Sequence, residues 1–169
     1  METPHLFMVS LGGSAQGANL ELHDVQFVAA ADVDEAVPLL RRRWFGDAKS
    51  LHLDGYRPVV WADGHAVTLR PAAAAAPLGL YFVHMGAYAE GTDGELHADG
   101  LFVAASAEEA KRRAKQSLLA GAEQQHADAV RAVAEVLLQA VPGWHLHLTP
   151  APRPPALPPA WRGYRPIGA

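Results

Sequence analysis

The chain reads as an α+β protein built from two tandem copies of one ββαββ module. Two observations predict this. The sequence matches itself when shifted by 74 residues, and both copies carry the same helix-start signal between apolar runs of strand length. With that shift no gap is needed from Leu6 to Asp54, and 15 of the 49 paired positions are identical. Chance pairing in so alanine-rich a chain gives roughly four or five, so the repeat is real. Glu21-Leu22-His23 falls on Glu95-Leu96-His97, Glu35-Ala36 on Glu109-Ala110, and His52 and Asp54 on His126 and Asp128. A five-residue insertion in the second copy then restores the match of Leu69-Arg70-Pro71 with Leu148-Thr149-Pro150.

Four segments follow. Residues 1–71 form copy one, 72–77 a Pro/Ala linker, 78–150 copy two, and 151–169 a Pro-rich tail carrying Trp161, Tyr164 and Ile167. Such a tail packs back on the body, stays disordered, or serves as a polyproline ligand.

Within copy one, the apolar run Leu6–Leu11 ends at Gly12-Gly13 and predicts a buried strand. Gly12, Gly13 and Gly17 are expected in a loop that needs positive φ. No Lys-Ser/Thr follows them and a strand comes next, so this is not a phosphate loop. Glu21–Ala30 predicts the second strand. Asp32 and Glu35 then form a capping box: the Asp32 carboxylate takes the amide three residues on, and Glu35 reaches back to the cap amide. Ser106 and Glu109 repeat the device. Val37, Leu40 and Trp44 give the helix an apolar stripe, and Pro38 lies early enough to bend rather than end it. Leu51–Trp61 predicts a third strand, Ala62-Asp63-Gly64-His65 a hairpin turn, and Ala66–Leu69 the returning strand. In copy two, Val130, Val133, Leu137 and Ala140 are spaced for a helix, while the repeat register demands a strand; the register is followed. One such module leaves apolar strand surface wet. The two are therefore expected to pack as a pseudo-twofold pair, with mixed or antiparallel sheet and the helices on one side.

Composition excludes several classes. There is no cysteine, hence no disulfide, thiolate chemistry or cysteine-ligated zinc. The formal net charge of −4 gives no basic field, so no nucleic-acid partner is expected. Arg41-Arg42-Arg43 reads as a solvated helix face. No run is long enough to span a membrane and none resembles a secretory leader, so a soluble cytoplasmic protein is expected, with oligomeric state open.

The repeated polar residues are the candidate site. Glu21 and His23 lie two apart on a strand and share a face, as do His52 and Asp54; Glu95, His97, His126 and Asp128 repeat the pattern. Two histidines and two carboxylates suit a register-fixing polar network, an organic or peptide ligand, a divalent metal such as zinc, iron or manganese, or acid–base work. No cofactor is implied. Asp24 belongs to copy one alone, its counterpart being Ala98. His145 and His147 alternate with apolar residues, as on a half-exposed sheet face. There is no Gly-x-Ser-x-Gly elbow and no His-Glu-x-x-His.

The run Leu6-Phe7-Met8-Val9-x-Leu11-Gly12-Gly13, then Gly17-x-Asn19-x-Glu21-x-His23-Asp24, Trp44 and His52-x-Asp54, resembles a bacterial family known as domain-of-unknown-function family 1543. Its members carry one or two copies of the module. Copy one fits throughout. Copy two replaces Gly13, Asn19, Asp24 and Trp44 by Ala87, Asp93, Ala98 and Leu118. The resemblance implies no activity, cofactor or partner. The duplicated, pseudo-symmetric build and the absence of a catalytic set make a non-enzymatic binding or interaction module the function expected. The alternative is a metal- or acid–base-dependent enzyme using Glu21, His23, His52 and Asp54; if there is one site rather than two, it is expected in copy one.

Overall fold

The computed structural model describes residues 3–73, 77–134 and 143–168. Copy one supplies β1 (His5–Gly13), β2 (Leu22–Ala30), α1 (Val33–Arg43), β3 (His52–Pro58), β4 (Trp61–Ala62) and β5 (His65–Arg70). Copy two supplies β6 (Gly79–Tyr88), β7 (Leu96–Ala104), α2 (Ala107–Ser117), β8 (Glu123–Ala132) and β9 (His145–Pro150). The tail adds β10 (Trp161–Pro166). The class is α+β with two repeated units. The described strands form three sheets, ordered β10-β3-β1-β2, β4-β5-β9 and β7-β6-β8, and every described strand pair is antiparallel.

Both capping boxes form, with one change of detail. The Asp32 carboxylate accepts from the Glu35 amide at 2.9 Å, and Ser106 Oγ from the Glu109 amide at 3.2 Å. Glu35 and Glu109 reach one residue past the cap, accepting from the Ala31 and Ala105 amides at 3.3 and 2.9 Å. Each box thus ties the helix start to the preceding strand. Pro38 lies inside α1 without ending it.

The predicted third strand is broken. Its first part, β3, pairs with β1; after Val59-Val60 the chain continues as β4 in a different sheet. Asp63 (φ 46°) and Gly64 (φ 79°) form the two-residue turn that the Asp-Gly pair predicts. In copy two the strand reading holds through Ala132, Val133 and Ala134 turn helical, and Leu137 and Ala140 lie outside the described residues.

Strand alternation sorts the core into three parts. Phe7, Val9, Leu11 and Val28 face α1, where they meet Val33, Leu40 and Trp44. Val83, Met85 and Phe102 face α2 in the same way. The opposite faces join the copies: Leu6 and Phe27 pack with Leu80, Phe82 and Val103. Phe27 and Phe82 meet edge-to-face at 5.5 Å, a contact worth about 0.5–1.5 kcal/mol beyond burial. Each helix therefore covers one face of its own sheet, and the face away from it turns toward the other copy. This corrects the expected placement of both helices on one side of a common sheet. Asp63 in the first copy's turn also accepts from the Val103 amide at 2.8 Å and from Arg113 at 2.7 Å, clamping the copies together.

The tail docks. β10 extends the first sheet along β3, Trp161 stacks on Tyr56 at 5.6 Å, and Ile167 is buried in the core beside α1. Arg41 holds the tail through the Ile167 carbonyl and Arg43 donates to the Phe27 carbonyl, so these two arginines are more than a solvated face.

Candidate functional site: two histidine–carboxylate clusters

The strand register builds each cluster around a glycine. On β1, Gly12 stands opposite His23 on one neighbour and His52 on the other. On β6, Gly86 stands between His97 and His126 in the same way. A side chain at either glycine would fill the space the cluster occupies. A Cβ on Gly12 would lie 2.5 Å from His52 Nε2 and 2.8 Å from Asp54 Oδ2. One on Gly86 would lie 2.8 Å from both His126 Nε2 and Asp128 Oδ2. Gly12 and Gly13 are thus strand residues kept small by what packs on them. Of the three glycines expected in a positive-φ loop, only Gly17 has that conformation (φ 84°).

The pairing of β1 with β3 shifts register and skips Asp54; that of β6 with β8 skips Asp128. Each aspartate is the extra residue of a β-bulge, a device that re-aims a side chain. In copy one, Glu21, His23, His52 and Asp54 all converge. His52 Nε2 lies 3.1 Å from Glu21 Oε1 and 3.2 Å from Asp54 Oδ1, while His23 Nε2 lies 3.6 and 3.7 Å from the same two carboxylates. Asp24 is not brought in: it accepts from the Val25 amide and the Gln26 side chain.

In copy two, His126 Nε2 lies 2.7 Å from Glu95 Oε1 and 3.1 Å from Asp128 Oδ1, and His97 lies 3.6 Å from Glu95 and 3.8 Å from Asp128. Here the cluster grows. His84 Nδ1 binds Asp99 across the β6–β7 pair, His84 Nε2 faces Asp128 Oδ2 at 3.9 Å, and the His84 and His97 rings stack at 4.9 Å. Their copy-one counterparts are Ser10 and Val25, so comparing the copies hides His84 and Asp99. The usable signal was alternation: His84 lies two residues before Gly86 and shares its face.

The histidines are oriented alike. His52 Nδ1 donates to the Ser50 carbonyl and His126 Nδ1 to the Gln124 carbonyl, each at 2.9 Å. A carbonyl only accepts, so the proton sits on Nδ1 and Nε2 is presented to the carboxylates. Hydrogen bonding to Gln124, then the charges of Asp128 and Glu95, raise the His126 pKa above its ordinary value.

Exposure separates the clusters. In copy one, Tyr164 of β10 lies over the His52 ring at 4.4 Å and the His52 side chain is 3% exposed. In copy two the His126 side chain is 44% exposed. Between the copies runs a cleft of about 990 Å³, whose walls include His23, Phe27 and Asp54 from one copy and Phe82, His84 and Arg131 from the other.

The chain belongs to the family described as Domain of Unknown Function (DUF1543), whose model matches twice, at residues 18–69 and 93–144. Each match spans one copy's β2 equivalent, helix and His-x-Asp strand. Among solved structures, the crystal structure of a protein Il1583 from Idiomarina loihiensis is similar over 98% of this chain and 99% of that one, at 32% identity and a TM-score of 0.70. No curated protein matches. Among the described residues, no helix is long and apolar enough to cross a membrane.

Proposed function

We propose that the protein is a non-enzymatic binding module that takes a small polar molecule in the cleft between its two copies. The observation that carries this reading is the cleft itself. It draws walls from both copies, which a duplication needed only for stability would close with apolar side chains. Phe27 and Phe82 supply an apolar surface, and Asp54, Asp99, His23, His84 and Arg131 supply polar groups around it. Asp54 Oδ2 is buried without a hydrogen-bond partner, which favours an occupant bearing an N–H or O–H donor. Each copy contributes a ββαββ module to a pseudo-twofold pair whose axis passes beside Thr68 and His147. The repeat makes these two residues counterparts, and they face each other in the β5–β9 pair, as equivalent residues do at a twofold axis.

The competing reading is acid–base or metal-dependent catalysis by Glu21, His23, His52 and Asp54. Its support is the convergence of those four side chains. Against it stands Tyr164, which covers His52, the best-placed base. We read this cluster as a polar network that fixes the β1–β2–β3 register.

A fragment screen by protein-observed NMR tests the proposal. Hits bearing donors should shift Phe27, Asp54 and Phe82 together, and Phe82→Ala should weaken them about tenfold or more. Hits that ignore the cleft, or turnover of a hit, would overturn the reading.

A further inference from the structure

We propose that the open cluster of copy two binds one divalent transition-metal ion through Glu95 Oε1, His126 Nε2 and Asp128 Oδ1. This inference is independent of the cleft's occupant, since none of these three side chains is needed to form the cleft.

Four observations converge. First, the ligand atoms are gathered: Glu95, His126 and Asp128 each bring one to within 4.8 Å of the others. His126 Nε2 lies 2.7 and 3.1 Å from the two carboxylate oxygens. Two ligands held about 2.1 Å from one tetrahedral ion lie about 3.4 Å apart, so small closing movements suffice. Second, the His126 ring is committed. Its Nδ1 proton goes to the Gln124 carbonyl, so the lone pair on Nε2 faces two carboxylate oxygens. A proton or a metal ion on Nε2 relieves the repulsion between that lone pair and the carboxylates, and donation of Nδ1–H to a carbonyl is how metal-bound histidines are oriented. Third, Glu95 Oε1 is buried without a hydrogen-bond partner although His126 Nε2 is only 2.7 Å away. The two atoms are close but not aligned as donor and acceptor, as expected of groups aimed at a shared point. Fourth, Gly86 leaves the floor of the cluster clear.

The mixed nitrogen and oxygen donor set suits zinc, manganese, iron or cobalt over calcium or magnesium. Asp128 also links to a neighbouring pair. Its Oδ2 faces His84 and His97 at 3.9 and 3.8 Å, and Asp99 orients His84 from behind. His84, His97 and Asp128 also bring ligand atoms within 4.8 Å of one another, but at these separations they are more widely spaced than Glu95, His126 and Asp128.

The test is a titration of the full chain with Zn²⁺, and separately with Mn²⁺, followed by calorimetry and histidine-ring NMR. Expected are one equivalent of Zn²⁺, at least tenfold weaker Mg²⁺, and Mn²⁺ broadening centred on His126. Asp128→Asn and Glu95→Gln should each weaken Zn²⁺ by tenfold or more, and His126→Gln serves if Asp128→Asn fails to fold. His52→Gln should leave affinity within twofold. Broadening at His84 and His97 without His126, unchanged affinity in the variants, or an imidazolium His126 that ignores both metals would overturn the assignment.

Discussion

The two copies place the same four polar residues around the same glycine, yet the inner histidine is covered in one and exposed in the other. The difference comes from outside the repeat. The tail strand β10 pairs with β3 and lays Tyr164 over His52, whereas β8, the counterpart of β3, has only β6 as a described neighbour. Copy two answers with more polar residues on the same face, His84 and Asp99. The repeat thus gives two equivalent clusters, and the tail strand makes their surroundings different. Copy one keeps the family pattern, which favours that copy if there is one site rather than two. Copy two has the larger cluster and the more exposed inner histidine, while His23 and Glu21 of copy one are more exposed than His97 and Glu95.

The comparison breaks most sharply at the tail. Ile167→Ala removes a buried anchor of β10 and should cost about 2–5 kcal/mol in denaturant unfolding, with most of the loss in copy one. Next comes a difference in packing between the copies. A Cβ on Gly13 would lie 2.8 Å from Trp44 Cζ2; copy two has Ala87 and Leu118 at those positions. The smaller helix-end side chain makes room for the extra methyl. Gly13→Ala alone should overpack by about 1–3 kcal/mol. Trp44→Leu should relieve it, so that the double variant is more stable than the sum of single effects by 0.5 kcal/mol or more, read in a double-mutant cycle.

Gly12→Ala and Gly86→Ala sharpen the contrast. Both insert a methyl into a cluster, and Gly12→Ala should cost more, about 1–3 kcal/mol, because His52 is buried beneath Tyr164 while His126 has solvent on its outer side. Equal losses would mean that the lid does not constrain His52. The smallest effect is electrostatic. His126 has a raised pKa, so its contribution to stability is fully present below the unfolded value, about 6.5, and fades as pH rises through the folded one. An NMR titration should place its midpoint above that value. Because the Gln124 carbonyl is the largest cause, Asp128→Asn should lower the midpoint only in part.

Much of the fold is legible in the residues themselves. Local devices carry their own chemistry: Asp32 with Glu35, Ser106 with Glu109, and Asp63-Gly64 each dictate a cap or turn from a few residues. Internal repetition singled out Glu21, His23, His52 and Asp54, and those four do meet. What was not legible depends on partners distant in sequence. Nothing in Val59-Val60 announces that the chain changes sheets there. Nothing in Trp161–Pro166 specifies β3 as its neighbour. Gly12 reads locally as a loop glycine, because the reason for its small size is the imidazole of His52, 40 residues away. His84 and Asp99 have Ser10 and Val25 as counterparts, so self-similarity, which marks only what both copies share, does not single them out.

The covering of His52 by β10, with its counterpart His126 left exposed, is tested by the rate at which diethyl pyrocarbonate modifies each histidine of the intact chain, followed by mass spectrometry. His126 should react at least tenfold faster than His52, and Tyr164→Ala should close most of that gap by accelerating His52 alone. Equal rates in the unaltered chain, or a His52 rate unmoved by Tyr164→Ala, would contradict the account.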